Sequence, residues 1–270
     1  MNTPHGIPRL GLGTWGRTGN RGRDALLTAI ELGYRHFDTA QTYGTETVVR
    51  DAIAASRLPR ADFFITTKVG DVNLDRTRFL PSVHESLDRL GVDRIDLLLI
   101  HWPSPNDEVP FEEYMGALAE AKALGLASLI GVSNFPSALV ERACDRLGAG
   151  EIVTNQVEMH PFLQNRALRR CCERNNVALT AFMPLARGRA AGDPSLQRIA
   201  ARHGVAPAAV ALAWVLYCGV IAIPSSEQHG HLQDNLRALT LGLSPDDLAE
   251  IHTLDCGYRI VNPAKAPVWD

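Results

Sequence analysis

At 270 residues, 46% of them apolar, the chain is long enough for one α/β barrel and apolar enough for a large core. Its formal net charge of −3 is mild and its 27 Lys and Arg residues lie scattered, which excludes the basic stripe that a nucleic acid requires. No apolar run reaches the roughly 18 residues of a membrane span, and the first residues lack the charged-then-apolar order of a signal peptide.

The expectation is a single domain over 1–270, cytoplasmic and monomeric, with no nucleic acid, membrane or metal partner. Five cysteines (Cys144, Cys171, Cys172, Cys218 and Cys256) without C-x-x-C spacing read as reduced thiols rather than a disulfide framework or a zinc site. The pair His229 and His231 has no evident third ligand.

In chain order, β-rich apolar runs alternate with helical patterns. Strands are expected over Pro8–Thr14, His36–Ala40, Phe63–Val69, Ile95–Trp102, Ser128–Asn134, Val153–Met159, Ala178–Leu185 and Val220–Ser225. Leu97-Leu98-Leu99-Ile100 is unbroken, as in strands buried on both faces. Helices are expected over Arg23–Leu32, Glu46–Ser56, Asp75–Leu90, Phe111–Leu124, Ser137–Leu147, Asn165–Asn175 and Ala208–Tyr217, with an eighth from about His231. Asp193–His203 and Pro245–Leu254 read as two extra helices. Eight strands alternating with helices imply a parallel sheet, either closed as a (β/α)8 barrel or open and doubly wound.

Gly11-Leu12-Gly13-Thr14-Trp15-Gly16 matches the dinucleotide motif G-x-G-x-x-G, and Asp38 ends the next strand. That motif needs a helix starting at its third glycine. Gly19 and Gly22 follow Gly16, so the helical pattern is placed nearer Arg23 and the segment is read as a glycine-rich loop.

Polar residues gather at strand ends: Asp38 with Tyr43 in the following loop, Lys68, His101-Trp102, Ser133-Asn134 and Asn155-Gln156. In a barrel these ends form one face. A buried lysine needs a partner, and Asp38 is the natural one. Singly, each residue has a plainer reading: an interior ion pair, a packing tyrosine, a core histidine. Together they suit carbonyl reduction, which needs a hydride at carbon and a proton at oxygen. A tyrosine has an ordinary pKa near ~10, and a neighbouring ammonium favours its phenolate. Asp38 would hold the lysine charged, and His101 would orient the substrate oxygen. The hydride must come from a cofactor. Two alternatives stand beside this reading. One is a barrel isomerase or aldolase using Lys68 as a Schiff base, which pairing with Asp38 opposes. The other is a nucleotide-sensing module without turnover.

With Gly11–Trp15, Phe37-Asp38-Thr39-Ala40, Tyr43, Thr67-Lys68, His101-Trp102-Pro103, Gly131–Phe135, Asn155-Gln156 and Ile223-Pro224-Ser225-Ser226 in this order, the chain resembles the aldo-keto reductase family. His101–Val109 and the ending Ala266–Asp270 are similar to its bacterial 2,5-diketo-D-gluconate reductase B subgroup. The resemblance implies a single-domain (β/α)8 TIM barrel reducing aldehydes or ketones with NAD(P)H, NADP(H) before NAD(H). It names small reactive aldehydes such as methylglyoxal and 2,5-diketo-D-gluconate as candidate substrates. It implies Asp38, Tyr43, Lys68 and His101 as catalytic and Ser133, Asn134 and Gln156 on the nicotinamide carboxamide. Phe182 would stack on the ring, or else be a core aromatic. Leu185, Ser225, Ser226, Glu227, His231 and Asn235 would complete the cofactor site, and Trp15 and Trp102 would wall the substrate pocket.

Three features depart from the family pattern. The chain begins almost at strand one, so an N-terminal hairpin cap is expected to be missing or vestigial. The loops after strands four and seven and the C-terminal tail are short, so an open pocket is expected. Residues 225–235 contain no Lys or Arg, so a weakened preference for NADPH is expected, with Glu227 repelling a 2′-phosphate.

Overall fold

The structure, a computed structural model, describes residues 5–270. The expectations about a leader and a hairpin cap bear partly on residues 1–4, which lie outside the described residues.

Eight parallel strands pair in sequence order: β1 (Leu12–Gly13), β2 (His36–Asp38), β3 (Phe64–Val69), β4 (Ile95–Ile100), β5 (Ala127–Ser133), β6 (Ile152–Glu158), β7 (Ala178–Phe182) and β8 (Ile221–Ile223). The ends of the sheet meet. Leu10 bridges Ala222 in parallel, and the Gly11 and Gly13 N–H groups donate to Ala222 and Pro224 carbonyls at 2.9 Å. Closure selects the barrel over the open doubly wound sheet.

Helices α1 (Gly19–Glu31), α2 (Glu46–Ser56), α3 (Phe79–Leu90), α4 (Phe111–Ala123), α5 (Ser137–Leu147) and α6 (Arg166–Arg174) each follow a strand. Between β7 and β8 lie α7 (Arg189–Gly192), α8 (Pro194–His203) and α9 (Pro207–Tyr217); α10 (His229–Arg237) and α11 (Pro245–His252) come last. The two expected extra helices are α8 and α11. Asp193 caps α8 by accepting from the Ser195 and Leu196 N–H groups, and Ser244 with Asp247 forms a capping box on α11. Helix α9 is apolar almost throughout and correspondingly buried from Ala209 to Leu216. Among the described residues no single helix is long and apolar enough to cross a membrane.

The apolar run of β4 serves two cores. Leu97 and Leu99 point into the barrel, where they pack with Ile7, Val153 and Ile221. Leu98 and Ile100 point outward into the larger core shared with the helices. The barrel is thus plugged at its floor by side chains, and its polar residues collect at the other end.

Several boundaries differ from expectation. Strand β1 shrinks to two residues. Strand β7 stops at Phe182 because Met183 turns to φ 49°. Helix α3 starts at Phe79 rather than Asp75, whose carboxylate instead accepts the Thr77 and Arg78 N–H groups.

Helix α1 starts at Gly19, four residues before the expected Arg23. The glycines taken as a reason against a helix are what permit this one. A Cβ at Gly22 would sit 2.2 Å from the Arg17 carbonyl oxygen, so only glycine lets the β1–α1 loop fold back on the first turn. Gly16 still precedes the helix, at φ 76°. Gly11 is needed for a different reason: its Cβ would meet the His36 imidazole at 2.6 Å. The G-x-G-x-x-G match is therefore barrel packing rather than a phosphate turn.

Candidate active site

On β2 and β3 the residues two apart share the inner face. His36 and Asp38 form one such pair, and Thr66 and Lys68 form the other, with Asp38 opposite Thr66 in register. The upper members meet at the mouth. Lys68 Nζ donates to Asp38 Oδ1 at 2.5 Å and to the Thr39 carbonyl at 2.8 Å. Gln156 Nε2, from β6, donates to the other Asp38 oxygen at 2.6 Å. Both Lys68 and Asp38 are buried, so this charge is held in a dry site by full pairing. Burial pulls the Lys68 amine down, but Asp38 and Tyr43 outweigh it and hold the amine above its ordinary value. Lys68 is therefore an ammonium, and the Schiff-base reading lacks its free amine.

Tyr43 ends a 3-10 turn over Gln41–Tyr43 that follows β2. Its hydroxyl lies 3.4 Å from His101 Nε2, with the rings edge to face at 5.4 Å. Lys68 Nζ lies 4.9 Å from the Tyr43 ring centroid. Thr42 Oγ1 stands 3.4 Å from His101 Nδ1. The carboxylate, ammonium, phenol and imidazole expected from the sequence thus converge.

One electrostatic expectation is corrected. Burial raises the Tyr43 phenol above its ordinary value; Lys68 opposes this through charge and a hydrogen bond without reversing it. Burial also drives His101 well below the ordinary histidine value, with Lys68 and Lys265 adding to the effect. At neutral pH the site holds a protonated phenol beside a neutral imidazole.

A second polar group faces the first. Ser133 Oγ donates to the Gln156 carbonyl at 2.8 Å. Asn134, in the left-handed region at φ 63°, donates through Nδ2 to the His101 carbonyl at 2.9 Å and to Ser133 Oγ at 3.1 Å. Its Oδ1 is buried with no partner. An orphaned acceptor of this kind calls for a donor from a ligand, and a carboxamide N–H of a nicotinamide fits it.

A cavity of about 880 Å³ joins Tyr43, His101 and Trp102 to Phe182 and Leu185, then to Ser225, Ser226, His231 and Asn235. Trp15 lines it while remaining 61% exposed, and Trp102 is buried edge to face with Trp269 at 6.2 Å. The tail supplies Val261, Pro263 and Lys265 to the same wall. Glu158 pins it by accepting the Ile260 and Val261 N–H groups at 2.7 Å, and Lys265 pairs with Asp71 at 2.7 Å.

Glu227 does not stand as a free carboxylate. Arg17 Nη1 reaches its Oε1 at 2.6 Å and Arg21 Nη2 its Oε2 at 2.5 Å, while Arg17 Nε donates to Ser225 Oγ at 3.1 Å. The expected acidic face after β8 is thus countered by two guanidiniums from another element. Sequence reasoning missed Arg17, Arg21 and Lys265. The first two sit in the glycine-rich loop, and in a closed barrel the loop after β1 adjoins the segment after β8.

A family model described as the aldo/keto reductase family matches residues 9–255. The chain is 46% identical to methylglyoxal reductase DkgB of Escherichia coli O157:H7 over 265 residues, covering 98% of this chain and 99% of that protein. It is 37% identical to an aldo-keto reductase of Mycobacterium marinum (strain ATCC BAA-535 / M), covering 96% and 92%. A solved structure described as a 2,5-diketo-D-gluconic acid reductase B superposes with a TM-score of 0.93 at 39% identity, covering 100% of this chain and 96% of that one. The closed barrel, the polar cluster at its mouth and these likenesses agree that the chain belongs to the aldo/keto reductase family.

Proposed function

We propose that this protein reduces small aldehydes and ketones with a reduced nicotinamide dinucleotide, and that Tyr43 gives the proton. The observation that carries this is the Tyr43 hydroxyl beside a neutral His101 and a paired, charged Lys68, next to the orphaned Asn134 Oδ1.

When bound, the dinucleotide supplies the hydride that no side chain can. As that hydride would reach the carbonyl carbon, Tyr43 would give its proton to the carbonyl oxygen, so that an alcohol forms and the tyrosine is left a phenolate. Lys68 stabilises that phenolate, and Asp38 with Gln156 keeps the ammonium in place. In the tautomer that this role needs, His101 Nδ1 accepts from the Thr42 hydroxyl 3.4 Å away, and Nε2 carries the proton and donates to the substrate oxygen. Ser133, Asn134 and Gln156 would hold its carboxamide, and Phe182, which lines the same cavity, would stack on its ring. Leu185, Ser225, Ser226, His231 and Asn235 line the remainder of the dinucleotide cleft. Trp15 and Trp102 flank the carbonyl end of the cavity. NADP(H) is the favoured cofactor over NAD(H).

Methylglyoxal and 2,5-diketo-D-gluconate are the substrates to try first, because relatives carry those names. Each is offered to the purified protein with NADPH and with NADH, following loss of the reduced nicotinamide absorbance. Turnover with at least one pair is expected. A protein that binds dinucleotide but turns over neither substrate, nor any of a panel of aldehydes and keto sugars, would instead be a nucleotide-sensing module.

A further inference from the structure

The segment after β8 has no Lys or Arg between residues 225 and 235, yet its carboxylate is already bound by two arginines. Both come from the opposite side of the barrel seam. Arg17 lies in the β1–α1 loop and Arg21 in the first turn of α1. Gly22 fixes their placement, since any side chain there would push the Arg17 carbonyl away. Arg17 also holds Ser225 Oγ and lines the cavity that runs to His231 and Asn235.

The group carries two positive charges and one negative, so one cation is uncompensated. Its exposure is uneven: the Arg21 side chain is 85% exposed, whereas Arg17 and Glu227 are largely covered. Guanidinium forks match phosphate as well as carboxylate, and a phosphate dianion draws them harder than a single carboxylate.

We infer that Arg17 and Arg21 form the anion subsite for the 2′-phosphate of NADPH, with the Glu227 carboxylate occupying it in the phosphate's absence. This rests on the nicotinamide dinucleotide reading above and adds the source of its phosphate specificity. A bound 2′-phosphate takes one or both guanidiniums from Glu227. With NADH, which has only ribose hydroxyls there, the arginines stay on Glu227. The preference for NADPH therefore survives the loss of basic residues after β8, because the neighbouring loop supplies them.

Calorimetric titration of the whole protein tests this without turnover. The ligands are NADPH, NADH and adenosine 2′,5′-bisphosphate. The unaltered protein is expected to bind NADPH more tightly than NADH, by a margin that shrinks with added salt. Arg17→Gln with Arg21→Gln should weaken NADPH and the bisphosphate about 10–100-fold, as loss of charge-assisted hydrogen bonds does, and NADH less than about 3-fold. Arg17→Lys with Arg21→Lys should restore part of the loss. Glu227→Gln, which removes the competing carboxylate, should tighten NADPH relative to NADH. Equal weakening of both dinucleotides by the double Gln variant would mean that the arginines only tie the loop to the barrel, and would overturn the inference while leaving the reductase reading intact. Failure of the unaltered protein to bind either dinucleotide would overturn both.

Discussion

Lys68–Asp38 inside the barrel mouth and Arg21–Glu227 on its rim have the same N–O distance of 2.5 Å. The first pair is sealed, at 0% and 3% exposure; the second joins a side chain 85% exposed to one 19% exposed. The inner pair has no solvent to fall back on, so removing either partner strands a charge. The outer pair can exchange partners with water, salt or a ligand at small cost. Contact distance therefore does not rank ion pairs; what surrounds them does. The fixed pair suits a task that needs constant geometry, and the exchangeable one suits binding.

The comparison breaks most directly at Lys68. Lys68→Met leaves the Asp38 carboxylate with only Gln156 in a dry site. A loss of about 3–5 kcal/mol in unfolding free energy is expected, measured by urea denaturation. Replacing Lys68 and Asp38 together with apolar residues should recover much of it, because no charge is then stranded. A single-variant loss below about 1 kcal/mol would place the inner pair in the same class as the rim.

Tyr43→Phe separates chemistry from stability within the same cluster. The phenol is half-buried, and its hydroxyl lies 3.4 Å from His101 Nε2. A fall of roughly 10²–10⁴ in kcat is expected, with dinucleotide affinity preserved. Turnover within tenfold of the unaltered protein would remove Tyr43 as proton donor.

How much of this was legible in the sequence follows the same division. The inner cluster was readable because burial leaves few choices: a lysine at the end of an apolar strand must find a carboxylate, and Asp38 ends the neighbouring strand. The barrel order was readable from the alternation, although closure needed the Leu10–Ala222 bridge. The rim was not readable by scanning 225–235 alone, since its cations enter from residues 17 and 21 across the seam. The sign of the Tyr43 shift is not legible, because a neighbouring charge is visible in the sequence and the depth of burial, which outweighs it, is not. Helix propensity alone starts α1 four residues late, because it counts glycine as a breaker, whereas tertiary contact decides the residue at Gly22.

His36 gives an intermediate test, a buried titratable group without an ion-pair role. It lies two residues below Asp38 on the inner face, with Nε2 3.0 Å from Thr66 Oγ1. Burial lowers it from the ordinary histidine value to about 4, with Asp38 opposing and Lys68 assisting. The unfolded chain binds this proton near pH ~6.5, whereas the folded chain resists it to about pH 4. The contribution is therefore full above that upper pH and is lost as pH falls through the window. About 3 kcal/mol is at stake, from ~1.36 kcal/mol per pKa unit. Comparing the unaltered protein with His36→Gln across this window cancels the other titrating groups. The variant should lose stability less steeply on acidification, and parallel slopes would mean that His36 takes up its proton without unfolding.

The smallest effect is expected at Glu227, and its smallness matters to the argument. Arg17 and Arg21 hold its carboxyl below the ordinary carboxylate range, yet these groups lie at the solvent edge, where screening and side-chain entropy cancel most of the attraction. Glu227→Gln keeps the size of the side chain and one oxygen acceptor for a guanidinium. A change in unfolding free energy below about 1 kcal/mol is expected, shrinking further in high salt. A small stability change with a clear shift in the NADPH-to-NADH affinity ratio would separate binding from folding at this position. A large loss of stability at constant affinity ratio would assign the rim triad to holding the β1–α1 loop on the barrel, and the contrast between the two ion pairs would then lie in exposure alone and not in use.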